Sequence, residues 1–117
     1  MSLHGLSLLA GTQGKTGGKK FHAVNPATNE RLTPDFHEAS DIEVARALDA
    51  SAAAFATYRA CSGAERAKLL ETIASEIEAL GDTLLQRANA ETGLPLPRLT
   101  GERARTCGQL RLFAQVA

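Results

Sequence analysis

Several residues along this 117-residue chain are of types that could do chemistry. Gly14-Lys15-Thr16 has the end of a phosphate loop. That motif needs a Gly five positions before Gly14 and a helix after it. Position 9 is Leu9, and Gly17-Gly18-Lys19-Lys20-Phe21 does not start a helix. The stretch reads as a solvated turn, which Gly and Lys suit. Cys61 stands before a helix start, where a thiolate is favoured, but no base lies within sequence reach to activate it. Cys107 has Arg103, Arg105 and Arg111 as helical neighbours, which could lower its pKa, yet a buried free Cys commonly packs as a small hydrophobe. His4, His22 and His37 show no metal-ligand spacing with each other, the cysteines or the acids. Arg98, Arg103, Arg105 and Arg111 are opposed only by Glu102. They could face phosphate, but no aromatic residues are interleaved for base stacking. Pairing with acids elsewhere is the plainer reading. No Ser/His/Asp set and no G-x-G-x-x-G between a strand and a helix is present. The residues themselves assign no catalytic, cofactor-binding or metal position.

The elements that would position these groups fall into two parts. Residues 1–39 are expected to form a β-hairpin and turns. Leu6 to Ala10 is one strand, Gly11 to Lys20 a long flexible tip, and Phe21 to Val24 the returning strand. Asn25-Pro26-Ala27-Thr28-Asn29-Glu30 is a turn, since Pro fixes φ and Asn bonds back to backbone. Arg31 to Phe36 is a further extended piece in which Pro34 bars a central strand. Residues 40–117 read as four helices. Ser40-Asp41-Ile42-Glu43 and Ser62-Gly63-Ala64-Glu65 are capping boxes. The first helix carries Ile42, Ala45, Leu48, Ala52 and Phe55 on one stripe, with Glu43, Arg46 and Asp49 spaced to pair. The second carries Leu69/Leu70, Ile73, Ile77 and Leu80 and stops at Gly81. Asp82 is placed to cap the third, whose face is Leu84, Leu85 and Ala88. Gly93-Leu94-Pro95 ends it, because Gly takes φ > 0 and Pro cannot continue a helix. The fourth starts near Pro97 or Arg98 and aligns Leu99, Thr106, Leu110, Phe113 and Ala117. Gly101 and Gly108 inside it suggest close approach of another element. The fold class expected is mostly α with an N-terminal β-hairpin.

Composition bounds the rest. Apolar residues make up 44%, many of them Ala, with no Trp and one Tyr, so the core is thin unless something packs on it. Thirteen basic and thirteen acidic residues give a formal net charge of zero, and no general reason to expect nucleic acid or an anionic membrane. No apolar run approaches the ~20 residues of a membrane span, and the start of the chain lacks a basic leader. Two Cys make no disulfide framework, so a reducing cytoplasm is expected.

In order and spacing, these segments resemble the N-terminal portion of the aldehyde dehydrogenase superfamily. The resemblance covers about residues 5–117. It begins at Gly18-Lys19-Lys20-Phe21-His22-Ala23-Val24-Asn25-Pro26-Ala27-Thr28-Asn29-Glu30, where Asn29 replaces a usual Gly and also tolerates φ > 0. It continues through Ala54-Phe55, Tyr58-Arg59, Arg66-Ala67, Leu69-Leu70, Ile73-Ala74 and Ile77-Glu78. Glu91-Thr92-Gly93-Leu94-Pro95, Arg98-Leu99, Gly101-Glu102-Arg103, Arg105-Thr106 and Gln109-Leu110-Arg111 are similar to one branch. That branch contains α-ketoglutaric semialdehyde (2,5-dioxovalerate) dehydrogenases and related NADP-dependent fatty aldehyde dehydrogenases. Pro97 departs from its pattern but suits a helix start. The resemblance implies that these residues are an N-terminal fragment of an α/β enzyme. Its substrate would be a small aldehyde, in this branch α-ketoglutaric semialdehyde, and its coenzyme NADP or NAD, bound downstream. A Cys thiolate, a Glu-activated water and hydride transfer to the coenzyme would make the carboxylate. The family's nucleophile, general base and coenzyme glycines would lie past residue 117, and Cys61 and Cys107 match neither position nor context. The fragment itself would be inactive, and the full-length protein a homo-oligomer. A monovalent cation held near Val24 and Glu91, as in some members, is a further implication. The alternative is a free-standing helical interaction module, without catalysis, that binds a partner through its fourth helix.

Overall fold

The computed structural model describes residues 3–117. Four helices carry most of the ordered backbone: α1 (Asp41–Tyr58), α2 (Gly63–Ala79), α3 (Gly81–Thr92) and α4 (Leu96–Val116). Ahead of them lie four two-residue strands: β1 (Leu8–Leu9), β2 (Thr12–Gln13), β3 (Lys20–Phe21) and β4 (Phe36–His37). The mostly helical class with an N-terminal hairpin is the one observed. The chain divides into two compact units. Among the described residues, one comprises residues 3–24 together with Glu30–Ala60, the other Asn25–Asn29 together with Cys61–Ala117.

In the first unit the strand pairing differs from the long-tipped hairpin. β1 pairs antiparallel with β2 across Ala10-Gly11, and β3 pairs antiparallel with β4. Ala10 (φ 49°) and Gly11 (φ 78°) both take the left-handed region, as a two-residue hairpin turn of the primed kind requires. Thr12 and Gln13, expected in a flexible tip, therefore close a tight hairpin. Phe21 finds its partner in Phe36, with ring centroids 5.6 Å apart and stacked. The apolar pair decides the register that alternation over four residues could not. Gly5 (φ 67°) shows why no side chain fits there: a Cβ would lie 1.9 Å from the Asp35 carbonyl oxygen. The ion pair of Arg31 with Asp35 spans the turn, and Thr33-Pro34 is cis. The Asn25–Asn29 segment, which belongs to the second unit, forms as the sequence implies. Asn25 Oδ1 accepts from the Ala27 N–H at 2.9 Å, and Asn29 sits at φ 59°.

Both capping boxes form. Ser40 caps α1 and Ser62 caps α2, each side chain accepting from the N3 amide while Glu43 or Glu65 reaches back. In the second unit α4 packs on α2 and α3. The core is Ala74, Leu85, Leu99, Cys107 and Ala114. Small residues at Ala74 and Cys107 let α2 and α4 approach closely. Gly93 (φ 70°) gives α3 its left-handed stop, with its N–H donating to the Asn89 carbonyl.

Four expectations need correction. Asp82 does not cap α3: that helix starts at Gly81, and Leu80 both ends α2 and precedes α3 with no side-chain cap. The buried side of α4 is Leu99, Cys107 and Ala114, so the expected stripe is rotated: Thr106 is exposed and Phe113 is 57% exposed. Gly101 and Gly108 face open space, with nothing within 4 Å of an added Cβ, so no described element approaches them. Glu43 and Arg46 do not pair with Asp49 along α1. They turn to the preceding loop instead.

Candidate functional site

The Gly14–Lys15 loop is held by two bonds. Gly14 N–H donates to the Ser7 carbonyl at 2.8 Å, and Lys15 N–H donates to Glu43 Oε1 at 2.8 Å. Arg46 reaches the Thr12 hydroxyl at 3.2 Å. A phosphate cradle needs successive amides aimed at a vacant centre above a helix N-terminus. Here the Lys15 amide is spent on a carboxylate, and no helix follows Thr16. Amides from Lys15 and Ser40 and the Ser40 hydroxyl hold the Glu43 carboxyl below its ordinary value, the Lys15 bond contributing most.

Cys61 is half-buried, and its carbonyl accepts from Arg66 Nη1 at 2.6 Å. Cys107 is fully buried, with Sγ 3.6 Å from the Ala74 carbonyl oxygen. A thiol sealed between two helices meets no substrate, and it packs as the sequence suggests. His4 Nδ1 accepts from the Leu6 N–H at 3.1 Å. His37 Nδ1 is buried with no hydrogen-bond partner among the described residues. No group of three or more His, Cys, Asp and Glu able to hold a metal ion is found among the described residues.

The arginines of α4 largely find partners. Arg111 grips Glu78 with two parallel bonds of 2.7 Å, which holds the Glu78 carboxyl below its ordinary value. Arg103 donates to the Gly81 carbonyl at 3.0 Å, so it fixes the α2–α3 corner. Arg98 faces Glu102 at 3.7 Å. Arg111 thus meets an acid on another helix, as expected, whereas Arg103 meets a carbonyl and Arg98 the Glu102 of its own helix; Arg105 lines an open groove with Leu70, Leu110 and Phe113. A second groove is lined by Ile77, Leu80, Leu84, Ala88 and Leu99 together with Glu102, Arg103 and Thr106. Neither brings together an acid, a base and a nucleophile. Of the residues considered for a cation, Glu91 is bonded to Arg87 at 2.5 Å in the second unit, and Val24 is bridged to Arg31 in the first. No helix of the described residues is long and apolar enough to cross a membrane.

Sequence reasoning missed two things: the service of Glu43 to the loop, and the exposure of large apolar residues on α1. The first depends on a contact 28 residues away, which no local pattern carries. The second shows only once the packing is known. Ile42 is 81% exposed, Leu48 67% and Phe55 62%, and no α1 residue is buried.

Against known proteins, the family model described as the aldehyde dehydrogenase family matches residues 12–117. Alpha-ketoglutaric semialdehyde dehydrogenase 2 of Azospirillum brasilense is 49% identical over 115 residues, which cover 97% of this chain and 21% of that protein. Alpha-ketoglutaric semialdehyde dehydrogenase of Acinetobacter baylyi is 36% identical over 113 residues, covering 97% and 22%. Among solved structures, an NAD-dependent benzaldehyde dehydrogenase from Corynebacterium glutamicum superposes with a TM-score of 0.87 at 18% identity. That match covers 96% of this chain and 24% of the other. The chain thus spans about a fifth of the length of the curated relatives it matches.

Proposed function

Since the chain belongs to the aldehyde dehydrogenase family, we propose that it serves as the N-terminal part of an enzyme that oxidises α-ketoglutaric semialdehyde. The products are α-ketoglutarate and reduced NADP or NAD, with water supplying the second carboxylate oxygen. The observation that carries this reading is the 49% identity to the Azospirillum brasilense protein across almost the whole chain. When bound, the nicotinamide supplies the acceptor for the hydride leaving the aldehyde carbon.

In this reading the 117 residues do no bond-making. Cys107 is sealed from solvent, and the carbonyl of Cys61 is held by the Arg66 guanidinium. Their work is to supply a capped helical shell: Arg103 and Arg111 lock α4 to the α2–α3 corner and to α2. We place the enzyme in the cytoplasm as a homo-oligomer, with a small-molecule aldehyde as its substrate. The test is a steady-state assay of the full-length protein with α-ketoglutaric semialdehyde and each coenzyme. Turnover with at least one coenzyme is expected. Absence of turnover with both would refute the substrate assignment, and turnover of other aldehydes alone would move the protein to another branch.

A further inference from the structure

We draw no further inference here: the strongest candidate, the groove at the start of α1 in which Gln13, Lys15 and Arg46 flank Ile42 and Glu43, is a helix N-terminus edged by exposed side chains, and nothing in the structure shows what would occupy it.

Discussion

At the scale of single residues, Glu43 does the most varied work. Its carboxylate closes the Ser40 capping box and holds the Lys15 amide, so one side chain joins a helix start to a loop. The capping half was legible, because Ser and Glu three apart before an apolar run is a local signal. The loop half was not, since it depends on the tight turn at Ala10-Gly11 bringing Lys15 back to α1. The pH dependence follows from the lowered carboxyl of Glu43, caused first by the Lys15 amide and then by Ser40. A depressed folded value means that its contribution is whole above the ordinary glutamate value of 4.5 and is lost as pH falls through the lower folded one. The urea midpoint of Glu43→Gln should thus lie below that of the parent chain at neutral pH, and the gap should close below about pH 4.5. A gap that stays constant into acid would show that the charge is idle. Cys107 gives a second check. A fully buried thiol should resist a thiol reagent until the protein opens, so no more than one of the two cysteines should react in the native chain. Two fast equivalents would mean that the α2–α4 seam is not closed.

At the scale of elements, most helix starts and stops were readable, but the start of α3 and the buried side of α4 were not. Ser40, Ser62 and Gly93 act through backbone groups within three or four residues, so short windows capture them. Which side of α4 is buried depends on where α2 lies, and a helix holding Leu99, Leu110, Leu112, Phe113 and Val116 offers more than one apolar side. Cys107 and Ala114, not Phe113, take the centre because small residues allow the closer approach. The strands were misjudged for a related reason. Two-residue ladders carry no period, and the Phe21–Phe36 stack joins residues that a long-tipped hairpin keeps apart. Gly101 and Gly108 turn the corrected packing into a prediction. Each is helical with open space where a Cβ would go, so Gly101→Ala should stabilise the 117-residue chain by about 1 kcal/mol. Thermal unfolding checks this, and destabilisation would restore the close approach that the sequence suggested.

At the scale of the whole molecule, the family match covers most of this chain, while the chain covers about a fifth of its curated relatives. The described residues contain two thiols, several paired arginines and no group of three or more His, Cys, Asp and Glu able to hold a metal ion. The order of the motifs from Gly18 to Arg111 carried the family reading, and the match over residues 12–117 bears it out. The central claim is that these residues position an aldehyde dehydrogenase without reacting in it. The most direct measurement is the rate of coenzyme reduction by the full-length protein carrying Cys61→Ala and Cys107→Ala together, with α-ketoglutaric semialdehyde as substrate. Turnover equal to that of the unsubstituted protein is the predicted result. Abolished turnover in a variant that still folds would put a reacting group within these 117 residues and contradict the account.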